Sequence, residues 1–343
     1  MANLINCFAS DNCSGAHPRI MDALNRANAG YEISYGDDKY TSGALNAFKN
    51  VFGASARTYF VYNGTGANTL ALGSVMRPYH AAIVPYTSHI NIDETGAPER
   101  YTGCKIITVD SSDGKLYPKD IVPYLETQGV MHHSQIKIAS ITNPTETGTL
   151  YTLAEIKALV EFLHEKGLLL HMDGARIANA AAALNCTLAE MTTDCGVDIL
   201  SFGGTKNGLM FGEAVVFLND SLGEDFMYIR KNGTQLHSKM RFISCQYEEY
   251  LKDGLWLENA RHANEMAAYL YGRLKEIEGV EPACETTCNS VFMILPEDMK
   301  ARLLGKYYFY DMDMGAGKKA SRLMCSFDTK KEYIDSFINL AKI

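Results

Sequence analysis

No stretch of this chain stays apolar for the length of a membrane span, and its 32 lysines and arginines gather into no basic stripe. Set against 40 aspartates and glutamates they leave a formal charge of −8, so neither a membrane nor a nucleic-acid partner is expected. The N-terminus, MANLINCFASDNCSG, lacks the positive region and apolar core of a signal peptide, and the protein is expected to stay where it is made, in the cytoplasm. Internal repeats, low-complexity tracts and evident linkers are missing too. The nine cysteines form no CxxC, and only Cys284 and Cys288 fall close together. An odd number in a long chain suits neither a disulfide framework nor a zinc site, so reduced thiols are expected and no metal. What remains is globular material, 47% apolar and 21% charged over 343 residues, enough for one large domain and a smaller one.

Short β-rich apolar runs alternate with helical segments: RTYFVY (57–62), AAIVPY (81–86), CKIITV (104–109), IKIASIT (136–142), LLLHMD (168–173), VDILSF (197–202) and EAVVFL (213–218). Such alternation predicts an α/β fold around a seven-stranded, mostly parallel sheet covered on both faces. A helix is expected at 153–165, where Leu153, Ile156, Leu159, Val160 and Leu163 make one apolar stripe and Gly167 follows as a stop. Beyond Asp220 the pattern changes to long helical stretches, notably 260–277, then short strands near 290–295 and 322–327. The chain therefore divides into an N-terminal segment with a large domain over 1–249 and a small C-terminal α+β domain over 250–343.

Chemistry enters with ILSFGGTKNGLMF (199–211), which sets Lys206 in a small-residue loop after an apolar run, and with HMDGAR (171–176) just upstream. Taken singly, Asp173 reads as a cap for the following helix and Lys206 as a solvated loop lysine. At the ends of successive strands they become a Schiff-base lysine and an anion for a pyridinium nitrogen, the pair that pyridoxal 5'-phosphate (PLP) requires. In YNGTGANTLAL (62–72), backbone amides and the Thr65 hydroxyl at a helix start suit a phosphate, although a plain strand-to-helix turn fits as well. As a dinucleotide fingerprint the segment fails, because Thr69 occupies the third glycine position. His89, past the next strand, suits stacking on a pyridine ring or proton exchange, or simply a loop; Glu94 is open in the same way. A PLP β-eliminating or decarboxylating enzyme, a non-catalytic binding protein and a dinucleotide oxidoreductase are the competing classes.

Several segments together resemble the low-specificity L-threonine aldolases, PLP enzymes of the aspartate-aminotransferase type (fold type I) related to β-eliminating lyases. They are FASDNCSGAHP (8–18), YGDDKYT (35–41), NGTGAN (63–68), TNPTETGTLYTLAEI (142–156), HMDGARIANA (171–180), SFGGTKNG (201–208), LHSKMRF (236–242) and SRLMCSFDT (321–329), with the His89–Glu94 segment. The resemblance implies cleavage of L-threonine, L-allo-threonine or related β-hydroxy-α-amino acids to glycine and an aldehyde; a phenylserine-type aldolase is a variant of it. It implies that Lys206 carries PLP, Asp173 pairs with the ring nitrogen, His89 stacks on the ring, and Thr65 and Gly66 hold phosphate in a turn shaped by Gly64. Arg176 would contact cofactor or substrate, and Ser10 and Arg322 the amino-acid carboxylate. Lys231 or Arg241 would reach a neighbouring subunit's phosphate in a homodimer or homotetramer with active sites at the interface. His132 and His133 lie where the family often carries a catalytic-loop histidine, making His133 a second candidate base beside His89. On residue chemistry alone, Arg322 offers a forked guanidinium suited to a carboxylate but also reads as a surface arginine. Arg176 equally reads as a first-turn helix arginine, Ser10 as a cap, and the 132–133 pair as solvated.

Overall fold

The computed structural model describes residues 6–314 and 319–343. A short strand β1 (Asn6–Cys7) precedes the seven that make the main sheet: β2 (Arg57–Val61), β3 (His80–Pro85), β4 (Lys105–Val109), β5 (Gln135–Thr142), β6 (Leu169–Gly174), β7 (Ile199–Gly203) and β8 (Glu213–Phe217). Each of the seven apolar runs becomes one of these strands. Their order is β2-β8-β7-β6-β5-β3-β4, with β8 antiparallel to both neighbours and every other pairing parallel. The central strands are largely apolar because both faces are covered. Ile199, Val215 and Phe217 pack on one layer, with Leu70, Leu72 and Phe226, while Leu200, Phe202 and Val216 pack on the other, with Phe48, Leu163 and Tyr247. The helix Leu153–Glu165 runs as its stripe predicts. Its start is a capping box in which the Thr152 hydroxyl accepts the Glu155 N–H and the Glu155 carboxylate accepts the Thr152 N–H.

A second core lies around a four-stranded sheet of order β12-β13-β10-β9, made of β9 (Glu281–Pro282), β10 (Ser290–Ile294), β12 (Tyr310–Asp313) and β13 (Lys319–Met324). The strand β11 (Tyr307–Tyr308) pairs with β1, and Phe8 is buried in this second core, so residues 9–12 are held between the two parts of the molecule. The helix Leu255–Lys275 begins five residues ahead of its expected start, because Gly254 takes a left-handed conformation that turns the chain into it. It bridges the cores: Leu255 belongs to the first and Ala267, Leu270 and Leu274 to the second.

The cysteine expectation needs one correction. The turn Asp11–Cys13 folds the chain back until Cys7 and Cys13 lie 6.2 Å apart at Cα, and the two are joined in a disulfide. Among the described residues no helix is long and apolar enough to cross a membrane, and no cluster of His, Cys, Asp and Glu is arranged to hold a metal ion.

Candidate active site

Parallel strands share one carboxyl edge, and there the loops that follow them open a cleft of about 360 Å³. Asn63, Gly64 and Thr65 reach it after β2, His89 after β3, Asp173 at the end of β6 and Lys206 after β7. Residues scattered over 140 positions thus meet because their strands point the same way.

Asp173 does not cap the helix Ile177–Leu184. Its Oδ1 accepts the Ala175 N–H at 2.9 Å, and its Oδ2 accepts from Asn68 Nδ2 at 2.8 Å. Asn68 Nδ2 also donates to Glu94 Oε1 at 2.8 Å, and that oxygen is 2.9 Å from His89 Nδ1. One buried chain therefore links the carboxylate to the imidazole, and the bond to Glu94 raises the His89 pKa above its usual value despite partial burial. The helix Gly64–Val75 is capped by Asn63, whose side chain accepts the Gly66 N–H at 2.8 Å. The preceding first-turn amides have no partner within the helix and face the anion-attracting end of its dipole.

The lysine loop is held tightly. A Cβ on Gly203 would lie 2.6 Å from Ala175 Cα, so only glycine lets the two backbones approach there. Beyond the lysine, Asn207 donates to the Tyr250 hydroxyl and the Trp256 carbonyl, and its own carbonyl accepts from Asn259. Gly208 then turns with φ +107°, where a side chain would also meet Asn259 and His17. The backbone on either side of Lys206 is fixed while its side chain lines the cleft.

The other expected residues fall into two groups. Ser10, Arg176 and Arg322 gather beside the cleft around the N-terminal segment. Arg176 is committed to a partner the sequence reading missed: Nε and Nη2 both bond Asp11, at 2.7 and 2.9 Å. Burial alone would raise the Asp11 carboxyl, but the Arg176 guanidinium more than offsets it and holds the acid below its ordinary range. Arg176 thereby grips the segment that brings Asn12 into the cleft wall. Arg322 is buried, donates to the Ala9 carbonyl at 3.2 Å and stacks on Tyr310, while its Nε has no partner among the described residues. Ser10 caps the turn Asp11–Cys13, accepting the Asn12 N–H.

The second group does not line the cleft. His133 stands two residues ahead of β5, whereas Thr142 at the far end of that strand pairs with Asp173. The strand length separates His133 from the cleft by roughly 30 Å, so it is not a base for the site of its own chain. Lys231 lies over the Tyr35 ring, and Arg241 donates to the Gly30 carbonyl at 3.2 Å. Both cations are thus fastened to an outer loop on which Tyr31 and Ile33 are exposed.

Besides Asp11 and Asn12, the sequence reading passed over Asn68 and Glu213. Asn68 sits in the helical segment already singled out, one turn past the glycines. Glu213 begins an otherwise wholly apolar strand, a signal that was available. Because β8 runs antiparallel, its first residue reaches the edge where the parallel strands end, and Glu213 lines the cleft, with burial pushing its carboxyl up to about 7.

The donor set suits PLP. There is an amine on a fixed loop, a carboxylate whose two oxygens are each bonded by a neutral donor, an imidazole lining the cleft and a helix N-terminus for the phosphate. Arg322 Nε, buried and unpartnered, suits a substrate carboxylate nearby.

The family model described as beta-eliminating lyase matches residues 8–297. A low specificity L-threonine aldolase from Pseudomonas sp. is 42% identical over 94% of this chain and 93% of its own length. A solved threonine aldolase from Leishmania major superposes with a TM-score of 0.92 at 33% identity, covering 98% of both chains. A structure of SPT with PLP shares the fold alone, with a TM-score of 0.71 at 14% identity over 99% of this chain and 86% of its own.

Proposed function

The chain belongs to the beta-eliminating lyase family and, within it, to the low-specificity L-threonine aldolases; from that premise we propose that it cleaves L-threonine and L-allo-threonine to glycine and acetaldehyde by a PLP-dependent retro-aldol reaction. The observation that carries the reading is the meeting of Lys206, Asp173, His89 and the start of the helix Gly64–Val75 in one cleft. PLP, when bound, supplies the electron sink for the pair released as the Cα–Cβ bond breaks. Lys206 would anchor it, and Thr65 and Gly66 would bind its phosphate in the turn that Gly64 shapes. Asp173 would hold the proton of the ring nitrogen, itself held by Asn68 and the Ala175 N–H.

Arg322 and Ser10 would bind the amino-acid carboxylate and so orient the scissile bond. Arg176 would contact cofactor or substrate beside them, while its ion pair with Asp11 fixes the segment 9–12. His89 would stack on the ring and take the β-hydroxyl proton at Nε2, since Nδ1 is engaged by Glu94.

The reading extends to a homodimer or homotetramer in which Lys231 or Arg241 reaches a neighbour's phosphate; their attachment to the exposed loop, outside the lining of their own cleft, supports this. A cytoplasmic location is part of the same reading, resting on the cysteine usage apart from the Cys7–Cys13 pair. The two apolar cores support an N-terminal segment with a large domain over 1–249 and a small domain over 250–343, Phe8 of the segment packing in the second core.

Product analysis with L-threonine, L-allo-threonine, phenylserine and serine tests the activity. Glycine with the matching aldehyde is expected from the first three; the matching 2-oxo acid with ammonia, or carbon dioxide, in their place would overturn the reading.

A further inference from the structure

Nothing in the proposed mechanism uses Glu213, yet its carboxyl is placed directly under the lysine loop. In register it lies opposite Gly203 on one side and Val61 on the other, and it is 8% exposed. Its Oε2 accepts the Gly204 N–H at 2.9 Å, while Thr205 Oγ1 donates to the carbonyl of Gly212 at 3.3 Å. The two residues ahead of Lys206 are therefore both bonded to the pair 212–213. Beneath them the Tyr247 hydroxyl donates to Phe202 O at 3.0 Å and Gly212 O at 3.2 Å, closing the floor.

A glutamine would satisfy the Gly204 N–H equally well. A carboxyl at this depth costs desolvation that a neutral amide would not, so its acidity calls for a use. We propose that Glu213 is a positioning residue for Lys206: it holds the loop that carries the lysine and takes up the proton that the lysine ammonium gives up when it acts as a nucleophile. The transfer balances, since an ammonium and a carboxylate become an amine and a carboxylic acid, and the charge of the cleft is unchanged. The groups that face Glu213 fit this exchange. Burial raises its carboxyl to about 7, Thr205, Gly204 and Lys206 oppose the rise, and Asp173 adds to it. The buried Tyr247 and Tyr250 phenols, pushed well up by burial, stay neutral.

The inference rests on Lys206 as the anchoring amine. The test strips the holoenzyme of PLP and follows recapture by absorbance from pH 5.5 to 9 in the wild type, Glu213→Gln, Glu213→Asp and Lys206→Ala. The wild-type rate should show an inflection near pH 7. Glu213→Gln should lose the inflection and recapture at least about tenfold more slowly at neutral pH, and Glu213→Asp should restore it in part. A Gln variant with the wild-type rate and inflection would reduce Glu213 to a hydrogen-bond acceptor. If instead Lys206→Ala recaptures PLP with the wild-type spectrum, it is the lysine assignment that fails. Thermal melting of the apoprotein supplies a readout independent of PLP. An acid whose folded pKa is raised stabilises below its ordinary 4.5, and that stabilisation is lost as pH climbs through about 7. The wild-type melting temperature should thus fall more across that interval than that of Glu213→Gln; parallel curves would overturn the proposal even if the variant is less stable overall.

Discussion

Lys206 and Asp173 differ in how far each depends on its neighbours. Asp173 has one oxygen on Ala175 N–H and the other on Asn68, so an Asp173→Asn variant keeps its shape and one of these two bonds but loses the charge. Its turnover should fall by several orders of magnitude while PLP affinity falls far less; a near-normal rate in single-turnover assays would return Asp173 to a structural part. His89 gives a pH prediction. Glu94 raises the histidine above its ordinary 6.5, and a base must be neutral to accept a proton, so the acid limb of the kcat/KM profile follows that raised value. Glu94→Gln removes the charge that favours the imidazolium, and the acid limb should move to lower pH as the plateau drops. A limb that stays in place would take the proton-transfer role away from His89.

At the scale of elements, the site depends on close approach between β7 and the turn after β6. Gly203 passes Ala175 so nearly that a methyl at 203 meets backbone atoms of that turn at 2.6 Å, and backbone yields less readily than a flexible side chain. Gly203→Ala should cost about 1–3 kcal/mol, the usual range for overpacking. It should also lower turnover more than the stability loss explains, because the shift is passed to Lys206 three residues on. Denaturant melts with PLP titration separate the two effects. A fully active, fully stable variant would mean that the loop has slack.

For the whole molecule, the N-terminal segment is the tie. Phe8 is packed in the second core, Asp11 is bonded to Arg176 at the end of the main sheet, and Asn12 lines the cleft between them. Outward, Arg241 and Lys231 brace a loop whose Tyr31 and Ile33 have no cover in a single chain. A closed symmetric dimer or tetramer would cover them, and light scattering on the holoenzyme should find one. Mixing Lys206→Ala with Arg241→Ala subunits tests whether sites are shared: hybrids should recover activity that neither parent has. A monomer of full activity would refute the assembly and leave the chemistry standing.

Much of the fold was legible in the sequence because strands buried on both faces announce themselves as short apolar runs, and all seven did. Lys206, Asp173 and the glycine turn were legible for the same reason, each standing directly after such a run. Periodicity and local pattern state which residues are buried but not which strand lies beside which, or in what direction it runs. Those are settled when distant segments meet, and there the tertiary structure alone decided. It brought Asp11 to Arg176 across 165 positions and so braced the segment that carries Asn12 into the cleft wall. It ran β8 antiparallel, delivering Glu213 to the cleft, and it ran β5 parallel, which carried Thr142 to the site and left His133 at the other edge.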